Sequence, residues 1–241
     1  MKALLLAAGL GTRLRPLTDT VPKCLVPIHG VPLLDYWLRL AFAGGIQRCL
    51  LNTHWLAEKV AAHVAASPWR DRVDLVYEPE LLGTGGTLLA NRAWFGDGPV
   101  LVAHADNLTD FDVAAFRTAH AARPAGCAMT MLAFRTDAPG TCGILELDPL
   151  GIVRQFHEKV ANPPGNLANG AVYILEPELL DAIAAASAAK ASPFVDLSTE
   201  IIPAFLGRIL AWETTGYHRD IGNPESLARA HEEFRPHMDA P

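Results

Sequence analysis

The chain has 241 residues, 20 Lys+Arg against 26 Asp+Glu, half of them hydrophobic and 19% charged, which excludes a disordered or fibrous chain and supplies apolar material for a sizeable core. A net charge of −6 without any Lys/Arg cluster argues against electrostatic binding to nucleic acid or to an anionic membrane, while a local basic pocket for a phosphorylated small molecule stays compatible with it. Cys24, Cys49, Cys127 and Cys142 form no C-x-x-C pair, so they suggest neither a zinc site nor a disulfide framework and read as reduced thiols of a cytoplasmic protein.

From Met1 to Gly9 one Lys precedes a short apolar run, as in a secretion signal. However, Arg13 and Arg15 stand where a cleavage region is neutral, and the run is far short of the ~20 residues of a membrane span. It reads as a buried first strand over 4–7. Further apolar strands at 48–52, 73–77 and 100–104 alternate with segments of helical period at 33–43, 56–66 and 85–94. This is the signature of βαβ units in a doubly wound, mainly parallel α/β sheet. After a helix at 112–120 the pattern turns β-rich, with strands at 128–134, 143–147, 153–156 and 171–175 in mixed or antiparallel arrangement. The stretch 161–166 is the clearest loop. Helices at 179–189, 197–205 and 224–234 surround a last strand at 209–212, and the tail from Arg235 is expected to fray. No composition shift marks a linker, so 1–241 reads as one domain.

The first strand runs into Ala7, Ala8, Gly9, Leu10, Gly11, Thr12, Arg13 and Leu14, with Pro22-Lys23 soon after. Small residues let a backbone approach a phosphate closely, and Arg13 and Lys23 supply the charge that a polyphosphate needs. A plain glycine turn with solvated cations explains the same residues almost as well. Neither G-x-G-x-x-G nor G-x-x-x-x-G-K-[ST] is present, which weakens dinucleotide and P-loop readings. Asp106 follows the strand at 100–104, at a carboxyl end where open α/β sheets bind ligands. On spacing alone Asp106 and Asp220 read as a turn acid and a strand-end acid, and Glu158-Lys159 as a solvated surface pair.

The ordered set Leu6 to Leu14, Pro22-Lys23, Leu82-Gly83-Thr84-Gly85-Gly86, Asp106, His157-Glu158-Lys159, Asn169-Gly170-Ala171 and Asp220 to Glu225 resembles the sugar-phosphate nucleotidylyltransferases from Lys2 to about Phe234. The resemblance implies a nucleotide-binding half at 1–125, a sugar-binding half at 126–234 and a tail at 235–241. It implies a nucleoside triphosphate and a sugar 1-phosphate as partners, and Mg²⁺ as cofactor on Asp106 and Asp220. Arg13, Lys23 and Asp106 become the catalytic set, and Ala7, Ala8, Gly9, Gly11, Thr12, Arg13, Glu78, Gly83 and Thr84 the nucleotide contacts. Gly143, Glu158, Lys159 and Asn169 fall at sugar-phosphate positions. Two departures stand out: Ala105 replaces a glycine before the first aspartate, tolerable only if φ stays negative there, and Val160 replaces a proline.

Base choice is least determined. An acceptor-only carboxylate at Glu78 or Glu80 suits guanine's two adjacent N–H donors better than uracil's mixed edge. With the family resemblance, which implies the sugar, this makes GTP with mannose 1-phosphate or a manno-heptose 1-phosphate the expected pair. A UTP-dependent enzyme for N-acetylmuramate or glucose 1-phosphate, a silent nucleotide-sugar sensor and a nicotinamide oxidoreductase are the alternatives. The sequence leaves a homo-oligomer open.

Overall fold

The computed structural model describes residues 1–235, so 236–241 of the expected tail lie outside the described residues. The first half comprises β1 (Lys2–Leu6), a hairpin of β2 (Pro27–Ile28) and β3 (Val31–Pro32), α1 (Leu33–Ala43), β4 (Cys49–Thr53), α2 (Ala57–Ala66), β5 (Val73–Tyr77), α3 (Gly83–Ala90), α4 (Arg92–Phe95), β6 (Val100–His104), β7 (Asn107–Thr109) and α5 (Val113–Ala121). The second half comprises β8 (Met129–Arg135), β9 (Gly143–Leu147), β10 (Val153–Glu158), β11 (Leu167–Leu175), α6 (Pro177–Ala189), β12 (Ile209–Glu213), β13 (His218–Asp220) and α7 (Pro224–Glu233).

The sheet runs β10-β9-β11-β6-β1-β4-β5, with β8 and β12 branching from β11. The strands β6, β1, β4 and β5 are mutually parallel. Helices cover both faces, so β1 needs no polar alternation. Ala3 and Leu5 enter one core with Trp37 and Phe116, while Leu4 and Leu6 enter the other with Leu88 and Tyr173. In the β-rich half, β11 is antiparallel to β6, β8 and β9, whereas β12 is parallel to β8. No described helix is long and apolar enough to cross a membrane.

Three expectations needed correction. The helix at 85–94 is two helices that meet at Asn91, whose Nδ2 donates to the Thr87 carbonyl. The segment 197–205 is a π-turn (Leu197–Ile201) followed by a 3-10 turn (Ile202–Phe205), because Pro203 has no N–H to continue a regular helix. Strand β11 begins four residues early, at Leu167. A register shift between Asn169 and Tyr173, with Ala171 at φ +54°, breaks the alternation that would have revealed it.

Candidate active site

The candidate site residues Lys23 and Asp106 gather at the carboxyl ends of the parallel strands. Strand β1 ends in the Ala7–Gly9 loop, and β6 ends two residues before Asp106. Asp220 arrives through β13, which pairs antiparallel with β7 and sets Asp220 opposite Asn107. That pairing joins two aspartates distant in sequence. Between them the turn Lys23–Leu25 delivers Lys23, whose Nζ lies 2.8 Å from Asp106 Oδ2 and 3.1 Å from Asp220 Oδ1. The Lys23 side chain is only 6% exposed. Burial alone would lower its pKa, but the two carboxylates outweigh burial and hold it above the ordinary lysine value. Burial likewise pushes the Asp106 carboxyl up, and Lys23, together with His104 and a backbone N–H, more than reverses this, leaving it below the usual aspartate value. Arg13 closes the outer side, with Nη2 3.5 Å from Asp220 Oδ2. Both of those side chains are more than half exposed, so the pair adds little stability.

The glycines here serve different ends. A Cβ on Gly9 would meet nothing within 4 Å, so its bare backbone stands open to a ligand. Gly11 sits at φ +62°, where a side chain would also press on Thr18. A Cβ on Gly222 would lie 2.6 Å from Arg13 Nη2 and 2.8 Å from Asp220 Oδ1, which explains the glycine after Ile221. Ala105 is buried without a positive φ, its N–H donating to the Leu6 carbonyl at 3.0 Å, so the methyl that replaces a glycine fits. Thr12 is exposed on the turn that carries Arg13.

A cleft beside this cluster is lined by Ala8, Gly9, Asn52, Glu78, Gly83, Thr84, Thr87, His104 and Asp106, with Leu81 and Phe194 contributing apolar surface. Ala7 donates its N–H to Asn52 Oδ1 at 2.8 Å. Glu78 reaches this cleft with its carboxylate already engaged. It is 3% exposed, its Oε1 accepts from Thr87 Oγ1 at 2.6 Å and from Asn52 Nδ2 at 3.0 Å, and its Oε2 accepts from the Leu82 N–H at 3.3 Å. Glu80 lines a neighbouring cleft instead.

Sequence reasoning missed the strap Pro193 to Leu197. The Gly85 and Gly86 N–H groups donate to the Val195 carbonyl at 2.8 and 3.2 Å, the Val195 N–H donates to Leu82 O at 3.0 Å, and the Leu197 N–H donates to Thr84 Oγ1 at 2.7 Å. Cβ atoms on Gly83 and Gly86 would come within 2.6 Å of Val195 O and 2.3 Å of Pro193 O. The Gly83–Gly86 motif therefore seats this strap, which holds Phe194 at the cleft. No periodicity flagged Phe194; Asn52, a polar residue near the end of a parallel strand, obeys the rule that singled out Asp106.

On the β-rich side the structure unites three residues. Gly143 and Glu158 are directly paired across β9 and β10, and Ala168 pairs with Ile144, which brings Asn169 alongside Gly143. Asn169 Nδ2 donates to Tyr173 Oη at 2.8 Å and its Oδ1 accepts the Ala171 N–H at 2.9 Å. The Asn169-Gly170-Ala171 motif is thus the bulge in β11. A Cβ on Gly143 would lie 2.5 Å from the Phe156 ring and 2.7 Å from Glu158 Oε2, so only glycine fits where these two side chains close over β9. Lys159 is exposed, at φ +50°, with its N–H on the Cys142 carbonyl at 3.1 Å. Holding a non-glycine residue there costs about 1–3 kcal/mol and is typical of functional loops.

Comparison with known proteins fits this geometry. The family model for nucleotidyl transferases matches residues 2–236. The chain belongs to the nucleotidyl transferase family. It is 29% identical over 232 residues to a mannose-1-phosphate guanylyltransferase of Mycobacterium tuberculosis, covering 94% of this chain and 62% of that protein. It is also 29% identical over 236 residues to a mannose-1-phosphate guanyltransferase of Schizosaccharomyces pombe, covering 93% and 62%. The chain thus spans under two thirds of the length of these curated relatives. The crystal structure of HddC from Yersinia pseudotuberculosis complexed with GMP-PN superposes with a TM-score of 0.79 at 26% identity, covering 97% of this chain and 99% of that one.

The donor set of the cluster is of a kind that a hard divalent cation accepts. Among the described residues no group of three or more His, Cys, Asp and Glu side chains could hold a metal. Asp106 and Asp220 supply two carboxylates around one ammonium, and Mg²⁺ typically takes one or two carboxylates and completes its shell with phosphate oxygens and water.

His218 supports the ribbon that carries Asp220. Its ring packs on Phe134 at 4.4 Å between centroids, its Nδ1 lies 3.1 Å from Thr109 Oγ1, and burial pushes its pKa down to about 4. An unfolded histidine titrates near about 6.5, so the native state binds fewer protons between these values. The stability present above that pH is lost as pH falls towards 4. Urea unfolding should therefore show a loss on the order of 2 kcal/mol at pH 5 relative to pH 7. His218→Asn should reduce that slope without abolishing it, because burial lowers His104 and His120 in the same direction. An unchanged slope in the variant would remove His218 from this account.

Proposed function

We propose that this protein joins a sugar 1-phosphate to a nucleoside triphosphate, releasing pyrophosphate and forming a nucleotide sugar. One observation carries the reading: a buried lysine shared by two aspartates, with an arginine at the rim, stands beside an open glycine backbone at the carboxyl ends of parallel strands. This places two cationic side chains beside a backbone open to close approach, the two features that triphosphate binding uses.

The sugar phosphate is itself a competent nucleophile, so no general base is required. Its oxygen attacks the α-phosphorus, and the bond to the β-phosphate oxygen breaks with its electron pair leaving on pyrophosphate. The chain's part is positioning and charge. Arg13 and Lys23 face the triphosphate, Gly9 and Gly11 let it approach the loop, and Gly83 and Thr84 shape the nucleoside side. Glu158, Lys159, Asn169 and Gly143 receive the sugar phosphate. Asp106 and Asp220 would hold Mg²⁺, which supplies charge neutralisation at the phosphates. A carboxylate retained at Glu78 serves as a fixed point for Asn52, Thr87 and the Leu82 amide, so the base is read chiefly by groups that Glu78 orients.

GTP and a manno-configured sugar 1-phosphate are the assigned pair, supported by the names of the curated relatives and by the GMP-PN complex of the structural relative. Pyrophosphate release should be measured with each of the four nucleoside triphosphates against mannose, glucose, N-acetylglucosamine and N-acetylmuramate 1-phosphates. GTP with mannose 1-phosphate is expected to lead. A lead for UTP would overturn the base assignment and keep the reaction, whereas no release with any pair would overturn the reaction.

A further inference from the structure

Lys23 has a second consequence for metal entry. Its ammonium already occupies the space where the Asp106 and Asp220 carboxylates converge, 2.8 and 3.1 Å from their oxygens, and it is almost wholly buried. Arg13 adds a second positive charge against Asp220, so two carboxylates face two cations and the cluster is locally neutral. A divalent ion taking the converging oxygens that Lys23 holds, Asp106 Oδ2 and Asp220 Oδ1, has to displace the ammonium, and a buried ammonium stripped of its anions is strongly unfavourable. A triphosphate removes that obstacle, because its oxygens accept the displaced ammonium while bringing negative charge with the metal.

We propose that Lys23 is an internal counter-cation that closes the Asp106–Asp220 pair to free divalent metal and opens it to metal arriving with a triphosphate. The proposal rests on the reading of Asp106 and Asp220 as the metal carboxylates. It makes Lys23 responsible for the order of binding as well as for charge at the phosphates, and it predicts that neutralising Lys23 strengthens metal binding in the absence of nucleotide.

The test is Mn²⁺ titration of the whole protein, followed by the free-ion electron paramagnetic resonance signal, without nucleotide and with a non-hydrolysable GTP analogue. Wild type should bind Mn²⁺ weakly alone and tightly with the analogue. Lys23→Gln and Lys23→Met, checked for folding by circular dichroism, should each bind Mn²⁺ without nucleotide about tenfold more tightly than wild type or better. Adding Asp106→Asn should cancel that gain. Equal or weaker metal binding in folded Lys23 variants overturns the proposal, and so does a micromolar Mn²⁺ site in nucleotide-free wild type, a result that needs no variant to fold. If the Lys23 variants gain nothing while Asp106→Asn still removes the analogue-dependent site, the counter-cation idea fails and the carboxylate reading survives. If wild type with the analogue holds no more Mn²⁺ than the analogue alone, both fail together.

Discussion

Asp106→Asn is expected to lower turnover on the order of a hundred- to a thousandfold while leaving the protein folded, the size of loss seen when one preorganised charge-stabilising group is removed. The amide keeps the shape of the side chain and loses the charge that would hold a divalent ion. It also loses the ion pair with Lys23 at 2.8 Å. Lys23 retains Asp220 at 3.1 Å, so the stability cost should stay near about 1–3 kcal/mol. The check is kcat at saturating magnesium with a melting temperature for the same preparation. A variant that turns over like wild type would remove Asp106 from the catalytic set.

Gly86→Ala should destabilise the fold, and Gly9→Ala is its control. A Cβ on Gly86 would lie 2.3 Å from Pro193 O and 3.1 Å from Leu82 Cβ. Backbone cannot give way as a flexible side chain does, so overpacking of about 1–3 kcal/mol or more is expected. In a chain of this length that lowers the melting temperature by several degrees. The displaced strap would carry Phe194 away from the cleft, raising KM for the triphosphate. At Gly9 a Cβ meets nothing, so Gly9→Ala should melt like wild type yet bind the triphosphate less well. Equal stability of the two variants would show that the strap yields at no cost, and the packing account of the Gly83–Gly86 motif would be wrong.

The sequence made the parallel layer legible because β1, β4 and β6 are buried along most of their length and carry apolar runs, while the edge strand β5, half exposed, still reads as β-branched and apolar apart from Asp74. The helix Leu33–Ala43 was readable at both ends for the same reason, its buried stripe recurring at helical spacing. What stayed hidden depends on contacts between distant residues. The three-residue strands β7 and β13 are too short to show a period, yet their pairing sets Asp220 beside Asp106. The strap is irregular backbone fixed by hydrogen bonds to α3. The acceptor chemistry of Glu78 can be read from one residue, whereas the Asn52 and Thr87 groups that engage it come from other elements. The glycines were visible as a pattern, but only the structure separates Gly9, open to a ligand, from Gly86, closed against backbone.

The central claim, direct transfer of a nucleotidyl group to a sugar phosphate, is most directly tested by phosphorus-31 NMR of the wild-type protein with GTP, mannose 1-phosphate and magnesium. Pyrophosphate and the coupled diphosphate signals of a nucleotide sugar should rise together in equal amounts, and neither should form when the sugar phosphate is omitted. Appearance of GDP and orthophosphate, or of pyrophosphate without sugar phosphate, would contradict the account.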